Sequence, residues 1–201
     1  MTALPNFVDI AKQTVVKPLS GFRDVIALNL GMRRAIELLV LIVAVNILVQ
    51  EALIALVTMF TDEPANPMIK TQGPVFDAAL AFIFYVMVII GIWLMGKVVS
   101  KETPLEDVII MFSWLQLLLL IAQIALIPLM LIALPLALIL GILLSLAALP
   151  YYLTCGVMAV HDFRNVAGVI GGLLLVAMGI GLLIQPILYV LGIEITMGPN
   201  V

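Results

Sequence analysis

The chain has 201 residues, of which 65% are hydrophobic and 10% charged, whereas soluble globular domains run at about 45–50% and 25%. Its formal charge of −3, with no clustered basic face, excludes nucleic acid as a partner, and the single cysteine, Cys155, excludes an internal disulfide and any multi-cysteine metal site. These proportions predict an all-α polytopic membrane protein with no cofactor and no metal.

The first thirty residues lack the apolar core of about 7–15 residues that defines a signal peptide, so the N-terminus is expected to be retained. Residues 5–30 mix polar and apolar positions. Phe7, Ile10, Ala11 and Val15 recur at helical spacing with Asp9, Lys12 and Gln13 opposite, the pattern of an amphipathic helix lying in the membrane interface. Pro18 is expected to end it. A second short piece runs through Phe22, Val25 and Ile26, and Gly31 is the expected C-terminal cap before Arg33 and Arg34. A solvated or partner-bound arm is the alternative, because the apolar stripe is short.

Five spans follow, near residues 35–60, 74–97, 106–128, 135–159 and 166–193, since a hydrocarbon core of about 30 Å takes about 20 helical residues. Residues 108–160 contain no Asp, Glu, Lys, Arg or His, and these 53 residues must cross twice. The turn between the two crossings belongs between Pro128 and Pro135, because each proline inside a straight helix costs about 3 kcal/mol. Whether residues 128–135 make a tight hairpin or a re-entrant turn stays open. Residues 61–73 and 97–103 read as loops. The chain thus divides into an arm (1–34), a five-helix transmembrane domain (35–193) and a short outer tail (194–201).

With the N-terminus in the cytoplasm, Lys12, Lys17, Arg23, Arg33, Arg34, Lys97, Lys101 and Arg164 lie inside and only Lys70 outside. That bias predicts a cytoplasmic N-terminus, an outward C-terminus and attraction to anionic lipids at the inner face. Trp93, Tyr151 and Tyr152 fall where inner-interface anchors belong, and the remaining Met and aromatic side chains of the spans read as packing or lipid-facing.

Polar residues inside the spans are few, so their depth is informative. Glu51, Gln123 and Gln185 fall in one layer, roughly 8–14 Å below the outer surface at helical rise, with Asp77 near the outer mouth. Asn46 and Gln116 form a deeper layer. Ser113, Gln116 and Gln123 share one face of the third span. Glu51 is expected to be protonated or hydrogen-bonded by Gln123 or Gln185. The competing roles for this intramembrane polar layer are interhelical glue, worth about 0.6–2 kcal/mol per contact, a solute or proton pathway, and contacts in an oligomer.

Small residues recur at the spacing that lets helices approach: Gly168 and Gly172, Ala177 and Gly181, Gly141 and Ser145. They predict packing of the fourth span on the fifth, with a homodimer face as the alternative. Pro150 and Pro186 are expected to kink their helices.

Motifs of membrane enzymes are absent. A lone histidine, His161, excludes HExxH, and neither GxSxG nor GxxxxGK[ST] occurs. Asp62/Glu63 and Glu106/Asp107 sit at span boundaries, and Thr103, Pro104 and Glu106 resemble a capped helix start. No catalytic residue is assigned. HDFRN, residues 161–165, reads as a cytoplasmic corner in which Asp162 or Asn165 caps the fifth helix and His161 serves as an interfacial hinge.

Two segments carry a family likeness: GKVVSKETPLEDVIIMFSWLQ, residues 96–116, and AVHDFRNVAGVIGG, residues 159–172. They resemble the Yip (Ypt-interacting protein) family of five-span membrane proteins, in its short bacterial branch, over about residues 20–193. The resemblance implies a cytoplasmic N-terminus and a lumenal or outward C-terminus, and no catalytic residue. The DLYGP-type motif associated with small-GTPase-linked traffic in eukaryotic members is absent, so that activity is not implied. The expectation is a non-enzymatic protein of a bacterial cytoplasmic (inner) membrane that assembles membrane components through helix contacts, with lipids and either a second copy or another membrane protein as partners. A small channel or transporter built on the polar layer is the alternative.

Overall fold

The computed structural model describes residues 6–61, 73–99 and 102–190, and every regular element within them is helical. Most of the loop expected after Thr61, Ser100, Lys101 and the 194–201 tail lie outside the described residues. Two short helices, α1 (Phe7–Val16) and α2 (Pro18–Ile26), precede α3 (Gly31–Thr61), α4 (Pro74–Val98), α5 (Leu105–Ile132), α6 (Leu134–Leu143), α7 (Leu149–His161) and α8 (Val166–Val190). The segment from α6 through α7 forms one continuous stretch, and five helices are long and apolar enough to cross a membrane.

The hairpin inside the long apolar run is tight and lies between Pro128 and Pro135, as expected. Pro128 stays within α5, and the helix breaks at the single residue Ala133 (φ −148°, ψ 73°). Pro135 falls in the first turn of α6, where its missing N–H would have no intrahelical partner anyway. Pro150 is accommodated differently. Just before it, residues Leu144–Ala148 widen into a π-helical turn, in which Leu149 N–H reaches back to Leu144 O. A wider turn gives room to a ring that would clash with the carbonyl four residues earlier.

The arm docks onto the bundle. Asn6 caps α1 by accepting from Val8 N–H at 3.2 Å, and Pro18, expected only to end the first helix, opens the second at its N-terminal position. Gly21 faces Thr14 so closely that a Cβ there would strike the Thr14 backbone, which lets α1 and α2 fold against each other. The buried face is Ile10 and Thr14 of α1 with Phe22 and Val25 of α2, whereas Phe7 and Val15 of the anticipated stripe are 56% and 57% exposed. Gly31, expected to cap the preceding helix, begins α3 instead, and its φ of +75° together with +47° at Asn29 turns the chain into that span.

This docking explains α5. Val108 to Gln116 are nine consecutive buried residues, a pattern possible only for a helix covered on all sides. The arm packs on α5 and α7 where the other spans leave it open. The core cluster accordingly gathers Phe22, Val25, Ala35, Leu39, Ile89, Ile92, residues 108–112 and Val157, all in the halves of the spans nearest the arm. At the far end the helices are more loosely joined, and Ala137 is the one buried residue of α6.

Candidate functional site

The deeper polar layer forms a built seam. Asn46 of α3 donates its Nδ2–H to the Tyr85 hydroxyl of α4 at 3.0 Å, and Tyr85 donates onward to Gln116 Oε1 of α5 at 3.2 Å. One phenol therefore joins three spans. Asn46, Gln116 and Ser113 are all buried, and the Asn46 Oδ1 and Ser113 Oγ atoms have no hydrogen-bond partner. Tyr85 also packs edge-on to Phe112, with ring centroids 5.2 Å apart. Of the face of α5 predicted from Ser113, Gln116 and Gln123, the first two are buried, as is every residue from Val108 to Gln116; the phenol linking Gln116 to Asn46 carries no signal in sequence spacing.

The outer layer does not assemble in the same way. Glu51 and Gln185 are exposed on their helices, and no hydrogen bond joins either to Gln123. The geometry follows from the helix: Glu51 is five residues beyond Asn46, about 140° around α3, so a helix that turns Asn46 inward turns Glu51 outward. Asp77 is half-buried in the first turn of α4, apart from the seam. Gln123 keeps a buried Oε1 without a donor. Lining the same groove is Gln50, exposed on α3 one turn beyond Asn46, which sequence reasoning passed over. The two glutamines line a groove of about 490 Å³ between α3, α5, α6 and the π-helical turn.

His161, the sole histidine, is 2% exposed at the end of α7. Its Nε2 lies 3.1 Å from Ile92 O, and its Nδ1 lies 2.9 Å from Thr103 Oγ1. A carbonyl can only accept, so Nε2 carries a proton. Gly96 makes room for the ring, because a Cβ at that position would collide with the imidazole. Thr103 is held further through its carbonyl, which accepts from Trp93 Nε1 at 3.1 Å, while Lys97 Nζ lies 4.0 Å from the centre of the Trp93 ring. The expected interfacial hinge is thus a buried clamp between α4, α7 and the start of α5. Of the two proposed caps, Asn165 takes the fifth span by accepting from Gly168 N–H at 3.2 Å. Asp162 adopts a left-handed conformation at the end of α7 and pairs with Arg23 of the arm at 2.7 Å.

The small residues at GxxxG spacing do not seat the fourth span on the fifth. Gly172 faces Met95 of α4, and Gly91 of α4 faces Val176 of α8, so the small face of the last span packs on the second. Gly141 and Gly181 have open space beside them, Gly168 meets only the side chain of its own cap Asn165, and Ala177 is exposed. Ser145 returns its hydroxyl to Gly141 O at 3.0 Å, a bond within its own helix. Spacing alone carries no information about which neighbour comes close.

The chain matches no family model, no curated protein and no solved structure. What the site can do therefore follows from its residues. The seam offers carboxamides, a phenol and a hydroxyl, all uncharged, and no His, Cys, Asp or Glu cluster able to hold a metal ion occurs among the described residues. Its chemistry is hydrogen bonding in a medium without competing water, where each satisfied contact fixes helix register and each unsatisfied atom marks a place for a donor.

Proposed function

We propose that the chain is a non-enzymatic integral membrane protein that assembles membrane components through contacts between helices inside the bilayer. The observation that carries this reading is the outward placement of Glu51, an ionisable side chain exposed on a helix apolar enough to cross a membrane. Such a group costs about 2.5–3.5 kcal/mol at the centre of a span, and a neighbouring helix that hydrogen-bonds it offsets the cost. Gln185, exposed on α8, offers a second contact of this kind.

The arm is assigned to the cytoplasmic face, supported by eight basic residues on that side of the topology against one on the other. A bacterial cytoplasmic membrane is the proposed location, supported by the likeness of residues 96–116 and 159–172 to the bacterial Yip branch. The partner is a second copy or another membrane protein, with anionic lipids around the basic residues of the arm.

A solute pathway has less support, because Asn46, Tyr85 and Gln116 are joined to one another in the bundle while Glu51 turns away from them. The experiment that tests the assembly reading is purification in mild detergent, with identification of whatever co-purifies. Wild-type chain is expected to retain a partner that Glu51→Leu loses while remaining folded. Loss of transport in Glu51→Gln with assembly intact would favour the pathway instead.

A further inference from the structure

We propose that the groove between α3, α5 and the fourth span is a lateral binding site for a neutral lipid bearing a free hydroxyl, whose proton is accepted by Gln123. The cavity of about 490 Å³ falls within the range of about 300–1,000 Å³ typical of small-molecule sites. Its walls are largely apolar, with Leu126, Leu138 and Ile142 among them, and Gln50 and Gln123 stand together as the carboxamides of the lining. Chemistry of this kind takes a hydrocarbon chain with one uncharged polar group.

Three observations narrow the ligand. Gln123 Oε1 is buried and has no donor, although a buried acceptor left unpaired is costly. The hydroxyl of the lining, Ser145, gives its proton to Gly141 O and is not that donor, and the Gln50 carboxamide makes no hydrogen bond to Gln123 Oε1. No Lys, Arg, Asp, Glu or His lines the cavity among the described residues, so neither a phosphate headgroup nor a fatty-acid carboxylate finds a counter-ion there. A hydroxyl both donates and accepts, which suits a carboxamide pair. The π-helical turn Leu144–Ala148 contributes Leu144, Ser145 and Leu146 to the wall. π-bulges of this sort occur often at functional sites. The site does not depend on the assembly reading, since a lipid can occupy the groove whether or not Glu51 meets a partner.

The test uses the full chain in phosphatidylcholine nanodiscs with a trace of diacylglycerol carrying a photoreactive diazirine in one acyl chain, beside the O-methyl ether of the same probe. The diacylglycerol is expected to label peptides of α5 and α6, with unlabelled diacylglycerol competing. The ether should label about 3- to 10-fold less, the loss of one hydrogen bond, and Gln123→Leu should reduce the diacylglycerol to the level of the ether. Gly141→Leu, which fills space left open beside that glycine, should abolish labelling by both probes; circular dichroism and gel filtration check that each variant is folded. Equal labelling by the two probes would reduce the groove to ordinary lipid contact and overturn the proposal. Chain-to-chain adducts from a photoreactive residue at Leu138 would overturn it as well, by placing a protein helix in the groove.

Discussion

Trp114 donates its indole N–H to the hydroxyl of Thr14 at 3.1 Å, tying the middle of the third span to a helix 100 residues earlier. Thr14 passes its own proton to Ile10 O at 2.8 Å, so the hydroxyl is fully used. Both side chains are buried, and the Tyr152 hydroxyl adds a bond to Val15 O at 3.0 Å. The arm is thereby a structural part of the bundle.

Thr14→Val removes the acceptor and leaves a buried indole N–H unpaired, which costs about 1–3 kcal/mol. Thr14→Ser keeps the bond and should cost much less. Detergent-titrated unfolding measures both, and proteolysis at Lys12 and Lys17 should accelerate only in the valine variant.

Glycines separate close approach from mere recurrence. Gly21→Ala and Gly96→Ala drive a Cβ into the Thr14 backbone and the His161 ring, and both should lower the melting temperature. Gly141→Ala and Gly181→Ala meet nothing and should be neutral or stabilising by up to about 1 kcal/mol from helix propensity. Thermal unfolding of the four variants in one detergent ranks them.

Tyr85→Phe strips the hydroxyl that serves both Asn46 and Gln116. Because contacts inside membranes average only about 0.6 kcal/mol in double-mutant cycles, the coupling between Asn46→Leu and Tyr85→Phe should be about 0.6–2 kcal/mol. The single Tyr85→Phe variant should cost more than that coupling, since it strands two buried carboxamides.

His161→Leu loses the ring contacts to Ile92 O and Thr103 Oγ1 and should destabilise by about 1–3 kcal/mol. The last turn of α4 would loosen with it, so trypsin cleavage at Lys97 should quicken. His161→Gln, still able to donate to Ile92 O, should retain part of the wild-type protection.

Length and hydropathy placed the five spans within a few residues of their observed ends, because a bilayer-crossing helix must be long, apolar and uncharged wherever it packs. The spacing of Ser113 and Gln116 marked two residues that are buried, but it gave no sign that α5 is covered on all sides from Val108 to Gln116. Sequence reasoning placed the turn of the long apolar run between Pro128 and Pro135, where the helix does break, at Ala133, but it missed Gln50, one turn beyond Asn46, which lines the groove with Gln123. The docking of the arm was hidden for a different reason. Thr14 looks like an ordinary polar residue of an amphipathic helix until Trp114, far along the chain, supplies the proton that justifies burying it. His161 was obscured likewise: only the missing side chain of Gly96, on another helix, makes its position inside the bundle possible.

Site-specific photocrosslinking in the native membrane tests the central claim most directly, with a photoreactive residue at Glu51, at Gln185 and, as a control, at the fully buried Ile110. Assembly through the outward-facing polar residues predicts adducts to protein from the first two positions and none to other chains from the third. Adducts to lipid alone at Glu51 and Gln185, with the chain migrating as a monomer, would contradict it.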